Sequence, residues 1–441
     1  MTHLHLTTNV IVITILATAF AATLSQMALA VFNDGVRPFL LDFYRGDLKR
    51  PQMLAIAFGL SAGFIFGLGV PLAFSSSILN PWLLFLPTDI LGILSPKRWL
   101  APILGAAWGA VVVFGLHGAT ALANSLPVDF LTAMQQMATP ILYLFSFFPA
   151  VAIGMQFGKK RGILTFVFGI LVMLATMKWI PVMFAGSLTM ASGVALLIGF
   201  AVMEEMKNRR EAKTQPFQAD EDADEDTEEA ASIFGTNARR LRKHWPWFAV
   251  MGILIGLLAN THMFAGGEAT SYIIAKGQYA NAAQIDFYRA LGFLPLIITT
   301  SLASGAFQIV GFTLIYPIAY LSPNPIVAAV AGGVLFTAEV WVLSYMGKGI
   351  ASLSSIRDAS DNIRNAINLT LEVALLFGSI LAGNTMAGGV GIAVVGGVYI
   401  LNEIFDRPLV RMAAGPVGVI LAGVAFNILA WVHLFTPIVI K

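Results

Sequence analysis

The sequence predicts an all-α polytopic membrane protein made of two inverted repeats of about seven spans each, with short broken or re-entrant helices. Three observations predict it. The chain of 441 residues is 57% hydrophobic and only 11% charged, whereas an ordinary soluble domain is about 25% charged. Its apolar residues fall in repeated runs of roughly 16 to 25 residues, the length that crosses an apolar core of about 30 Å. Short motifs of the first half also return in the second half in the same order. With no Cys in the chain, disulfides, thiolate metal sites and thiol nucleophiles are excluded.

The apolar runs are expected near 9–31, 52–74, 82–94, 99–124, 137–157, 163–179 and 182–203 in membrane repeat 1 (1–203). Membrane repeat 2 (247–441) is expected to hold runs near 247–265, 288–304, 306–321, 325–347, 368–384, 386–403 and 413–437. Between them, 204–246 reads as an acidic and then basic cytoplasmic linker. Of the 24 acidic residues, 11 lie between Glu204 and Glu229, followed by Arg239, Arg240, Arg242 and Lys243. So charged a run cannot bury enough apolar surface to offset the entropy of ordering it.

Orientation follows from the cytoplasmic bias of Lys and Arg near span ends. With the amino terminus outside, 22 of the 26 basic residues fall inside, and only Lys178, Lys276, Arg289 and Lys441 fall outside. That split favours fourteen crossings, both termini outside and the central loop in the cytoplasm. Pairing the short segments into re-entrant hairpins lowers the count to about ten or twelve.

The duplication rests on paired motifs. Leu41-Asp42-Phe43-Tyr44-Arg45-Gly46 returns as Ile285-Asp286-Phe287-Tyr288-Arg289-Ala290. Ser95-Pro96 returns as Ser322-Pro323, with Gly105 and Gly332 at the same distance beyond. A weaker set pairs Asp129 with Asp358, Gln136 with Asn365, and Gly154 with Gly383. An odd number of spans per half obliges a duplicated half to insert upside down, the arrangement common among secondary transporters.

Polar residues inside apolar runs carry the chemistry. Asn33-Asp34-Gly35 is a turn signature. Pro87 should break the short third segment and leave Thr88 and Asp89 beside the break, where an ionisable residue is a functional candidate. Ser322-Pro323-Asn324-Pro325 should end one helix and start the next, with amides free to receive an anion. In 358–365 the spacing i, i+3, i+4, i+7 sets Asp358, Asp361, Asn362 and Asn365 on one helix face, with Arg364 available to a carboxylate or phosphate. These residues, with Thr88, Asp89, Ser322, Asn324, Asp129 and Gln136, are the substrate-binding candidates. Asp89, Asp361 and the isolated Glu339 are candidates for the coupling ion, H+ or Na+. No catalytic, metal or cofactor motif is found. There is no phosphate-binding loop of an ATP-driven pump and no paired-His metal site.

Ala30–Pro38, Trp82–Gly92 with its Leu86-Pro87-Thr88-Asp89 core, Arg289–Phe293 with Pro295-Leu296, Leu321–Pro325 and Asp358–Asn368 together resemble the YhfT-like family of bacterial inner-membrane proteins. The resemblance covers nearly the whole chain except the acidic linker. It implies a bacterial cytoplasmic membrane and a transporter with no assigned substrate.

The function expected is secondary active transport of a small polar or anionic solute by alternating access, with an elevator movement as one form of it. The other readings are a membrane-embedded enzyme using Asp89 with Asp129 or Asp358, and a non-transporting scaffold or sensor. The partners expected are the lipid bilayer, the solute and a second copy in a homodimer, with no nucleic acid.

Overall fold

A computed structural model describes residues 7–33, 36, 39–40, 43, 46, 48–181, 183–214, 235–309, 314–351 and 354–438, with only the backbone at some of them, 354–361 and 364 included. Most of the described residues are helical. Among the described residues eight helices are long and apolar enough to cross a membrane, and Pro81–Leu94 and Trp245–Asn260 are shorter apolar helices. The protein is therefore an all-α membrane protein.

Helix α1 (Thr8–Gln26) starts at Thr7, whose hydroxyl accepts the Val10 N–H, and leads into strand β1 (Ala30–Val31). Helix α2 (Arg50–Phe64) has a proline in its first turn and runs through a π-helical turn, Ile65–Gly69, into α3 (Val70–Ser76). Next come α4 (Pro81–Leu94) and α5 (Leu100–Asn124). Helices α6 (Phe130–Met134), α7 (Ala138–Leu144) and α8 (Phe148–Phe157) join end to end, and α9 (Lys159–Trp179) and α10 (Ala185–Thr214) close the first half. Residues 235–243 form α11. The second half holds α12 (Trp245–Asn260), α13 (Glu268–Ala275), α14 (Tyr279–Ser304), strand β2 (Phe307–Gln308) and α15 (Ile315–Leu321). It ends with α16 (Pro325–Ala351), α17 (Ser354–Ile404) and α18 (Arg411–Trp431).

Each half packs one group of three helices in the same way: α1 with α4 and α5, and α12 with α15 and α16. Glycine sets the closest approaches. A side chain at Gly105 would collide with the Thr18 carbonyl on α1, and one at Gly332 with the Gly252 carbonyl on α12. The two groups meet where α1 packs on α12, with Phe20 stacked on Trp247 at 5.6 Å.

Further local features recur between the halves. Ala28 and His262, just past α1 and α12, both take left-handed backbone, φ 51° and 55°. Ser77 and Gly305, just past α3 and α14, do the same at 57° and 63°. Strand β1 pairs in parallel with β2, and the Phe307 N–H donates to the Leu29 carbonyl at 2.8 Å. In parallel again, Leu79 bridges Phe264, and the Leu79 N–H donates to the Met263 carbonyl at 2.9 Å. Gly154 packs on Gly162 across the α8–α9 turn, and Gly383 packs on Gly391 across a kink in α17 at Ala387 and Gly388.

Several expectations change. Pro87 does not break its helix, because α4 runs unbroken through it; the Leu83 carbonyl that Pro87 cannot serve accepts the Trp108 indole N–H at 3.0 Å instead. The first span stops at Gln26, and Ala30 and Val31 form buried extended chain; the Val36 N–H then donates to the Asn33 carbonyl at 3.1 Å, in keeping with the expected turn. Asp34, Gly35, Arg37 and Pro38 lie outside the described residues. Helix α14 begins at Tyr279, well before the expected 288, which places Arg289 inside the fold at 4% exposure and out of the count of loop charges. Of the first paired motif, Leu41, Asp42, Tyr44 and Arg45 lie outside the described residues. Ser61 of α2 and Arg289 of α14 lie equally far before the left-handed residues Ser77 and Gly305. Helical structure also extends into the expected linker on both sides: α10 reaches Thr214, and α11 buries Ala238 and Leu241. Residues 215–234 lie outside the described residues.

Candidate functional site

Two crossings of extended chain, each lying between helix ends, hold buried polar groups. At the first, the left-handed turn at Ala28 carries the chain from α1 into β1. Its backbone donors then need partners, since buried N–H groups are rarely left unpaired. Asp89 of α4 supplies them. Its carboxylate is fully buried and accepts the Phe32 N–H at 2.9 Å, the Asn33 N–H at 2.9 Å and the Ser25 hydroxyl at 3.0 Å. The Asn33 side-chain amide donates to the Ser61 hydroxyl at 3.0 Å.

The second crossing follows α12. His262 turns the chain, stacks on Tyr279 at 3.7 Å and places a ring nitrogen 3.0 Å from the Tyr320 carbonyl. The Gly266 N–H donates to the Tyr320 hydroxyl at 2.8 Å, and that hydroxyl donates to Asp286 at 2.9 Å. Thus a tyrosine relayed to a carboxylate does here what Asp89 does directly at the first crossing. The Thr270 hydroxyl accepts the Gly267 N–H at 2.9 Å and lies 3.3 Å from the other oxygen of Asp286. Arg289 bridges both acids: Nη1 stands 3.4 Å from Glu268 and Nη2 stands 3.6 Å from Asp286. Nη2 also donates to the Gly266 carbonyl. Only a residue without a side chain fits at Gly267, because a Cβ there would strike the guanidinium.

An aromatic series connects the crossings. Ring centroids are 6.3 Å apart for Phe32–Phe85, 6.0 Å for Phe85–Phe264, 5.7 Å for Phe264–Tyr316 and 6.2 Å for Tyr316–Tyr320. The result is two buried carboxylate centres separated by apolar ring faces. Among the described residues no group of three or more His, Asp or Glu converges as a metal site.

Of the residues singled out in the sequence, only Asp89 enters this region as a multiple acceptor. Thr88 is buried beside it and donates its hydroxyl to the Phe85 carbonyl at 2.8 Å. Ser322 ends α15 and donates to the Ile318 carbonyl at 2.8 Å. Asn324 starts α16, its side-chain oxygen accepting the Val327 N–H at 3.0 Å, so one of the amides expected to receive an anion is already served. Asp129 caps α6 through the Thr132 N–H at 3.0 Å, and Gln136 is exposed. Glu339 is buried on α16 at 4% exposure. On α17, Asn362 is half-buried and Asn365 exposed, while the side chains of Asp358, Asp361 and Arg364 lie outside the described residues.

The Glu268–Asp286–Arg289 cluster escaped the sequence reading of the site. The signal was present: Asp286 and Arg289 are three apart, one helical turn, ahead of a long apolar run. A span boundary set too late turned that pair into loop charges.

No solved structure matches the chain. The profile of the YhfT family, described as a protein of unknown function, matches residues 9–435. The uncharacterized protein YhfT of Escherichia coli strain K12 is 38% identical over 439 residues, 97% of this chain and 98% of the relative. The family match takes in nearly all of α1, the two crossings and the last helix, and on the extent of both matches the chain belongs to the YhfT family.

Proposed function

We propose that the protein is a secondary active transporter of a small polar or anionic solute across the bacterial inner membrane, working by alternating access. Its two halves are inverted repeats, and the central segment faces the cytoplasm. The observation that carries this reading is the matched pair of crossings, each made of a left-handed turn, a short parallel strand contact and a buried carboxylate. Irregular backbone is tolerated in a bilayer only where it is buried in protein or lines a cavity. Transporters with inverted repeats build their solute and ion sites from such interruptions at the repeat interface. The likeness to such transporters is an analogy of architecture.

Movement is of the elevator kind. The unit holding both crossings, α1–α5 with α12–α16, slides against α6–α10 with α17 and α18, and the protein works as a homodimer. Asp89 serves as an anchor, since three donors of the protein already occupy its carboxylate.

The experiment is uptake into sealed vesicles by purified protein, with candidate solutes chosen from a thermal-shift screen of polar metabolites. Accumulation above the outside concentration under an imposed ion gradient is the expected result. Consumption of the same solute by detergent-solubilised protein, without accumulation in vesicles, would replace the transporter with a membrane-embedded enzyme.

A further inference from the structure

Among the described residues, the second crossing encloses charges that do not balance. Glu268, Asp286 and Arg289 are 3%, 0% and 4% exposed, so two carboxylates face one guanidinium away from water. A buried charge is tolerated when it is paired, and the guanidinium neutralises one acid only. The acids are also unequally served. Asp286 receives the Tyr320 hydroxyl at 2.9 Å and has the Thr270 hydroxyl and Arg289 beside it. Glu268 meets a single charged partner, Arg289, through one oxygen at 3.4 Å.

A second buried polar group borders the cluster. The Tyr316 hydroxyl is buried and has no hydrogen-bond partner among the described residues. Its ring stands against Gly266, whose carbonyl receives Arg289. A buried hydroxyl of this kind can accept one further O–H.

We propose that Glu268 carries the proton that drives transport, with Asp286 and Arg289 as a fixed ion pair. The step forms one O–H bond on Glu268, with a proton taken from water on one side of the membrane and returned to water on the other. Its role in driving transport rests on the transporter reading; its protonation does not. The other groups around α13 leave Glu268 as the one free to titrate. On α13 itself, Tyr272 lies 2.7 Å from the Ser75 hydroxyl of α3, and α3 has no titratable side chain. On α7, Tyr143 packs edge-on against Phe184. From α15 the Tyr320 hydroxyl is engaged by Asp286 at 2.9 Å, and the Tyr316 ring stands against Gly266.

The test is infrared difference spectroscopy on the full-length protein in liposomes, stepping pH with no solute present. A carboxyl C=O band of a non-hydrated group should appear on acidification in the wild type. It should vanish in Glu268→Gln and persist in Glu339→Gln. If Glu268→Gln fails to fold, Glu268→Asp should fold and show the band displaced. A band unchanged in either Glu268 variant, a band lost in Glu339→Gln, or no band in the wild type would overturn the proposal. Suppression of the band by Na+ but not by choline at equal ionic strength would also overturn it, in favour of a sodium site. Because no solute enters the measurement, its failure leaves uptake to be driven by another ion, and failed uptake leaves the band standing.

Discussion

The guanidinium of Arg240 donates to the carbonyl of Gly305 at 3.1 Å. A second nitrogen of the same group reaches the Ala28 carbonyl at 3.1 Å. Helix α11 thereby closes the ends of α14 and α1, where the last carbonyls of each helix lack partners inside it. From the same helix the Asn237 amide donates to the Leu302 carbonyl at 2.7 Å. Arg240→Ala should cost about 1–3 kcal/mol of stability by stranding these carbonyls. Arg240→Lys should recover only part of that, because one ammonium cannot replace a planar fork. Thermal unfolding of the purified protein in detergent measures both, and an unchanged midpoint in Arg240→Ala would remove α11 from the fold's supports.

Trp108 and Pro87 form a compensating pair. The proline withholds an N–H from the Leu83 carbonyl, and the indole supplies one at 3.0 Å. Trp108→Phe should therefore cost about 1–3 kcal/mol. In Pro87→Ala the new backbone N–H can serve Leu83, so Trp108→Phe should cost measurably less in that background. A double-mutant cycle reads the difference, and strict additivity would mean that the indole does not compensate for the proline.

The glycines at the helix crossings give a matched test. Gly105→Ala and Gly332→Ala each drive a methyl into a facing backbone carbonyl, and overpacking of this kind costs about 1–3 kcal/mol. Gly199→Ala on α10 meets nothing within 4 Å and should be neutral or stabilising by about 0.5–1 kcal/mol. Equal stability of the three variants would mean that the three-helix groups adjust freely, against the close-packed crossings.

Composition and run length were enough to read the helical membrane class, because a long apolar run in a bilayer must be helical. Gly105 and Gly332, which stand at matching places in the recurring motif, both lie where helices touch at backbone distance. Pro87 misled because proline reads locally as a breaker, while the donor that replaces its missing N–H sits on another helix, at Trp108. The crossings were hidden for a related reason. Ala28 and His262 take left-handed backbone without being glycine, so no residue type announces the turns. Glu268 and Arg289 are 21 positions apart and meet only once α13 folds back on α14.

The polar face of α17 divides in the structure. Ile363 and Ala366 are fully buried among residues of α8 and α10, which fixes the rotation of the helix. That rotation leaves Asn362 half-buried and Asn365 exposed. If the solute path runs along the half-buried side, Asn362→Leu keeps rough volume and deletes donors and an acceptor. The loss should be about 1–3 kcal/mol, roughly one to two orders of magnitude in apparent affinity. Asn365→Leu, at an exposed position, should stay within about 0.5 kcal/mol, a change of about two-fold. Asp361→Asn should retain accumulation against a gradient, whereas Glu268→Gln should retain only exchange of solute across the membrane. The measurement is uptake against solute concentration at matched protein levels, with and without an imposed pH gradient. Equal losses at 362 and 365 would bring the whole face into the path, and loss of accumulation in Asp361→Asn would move the coupling step from α13 to α17.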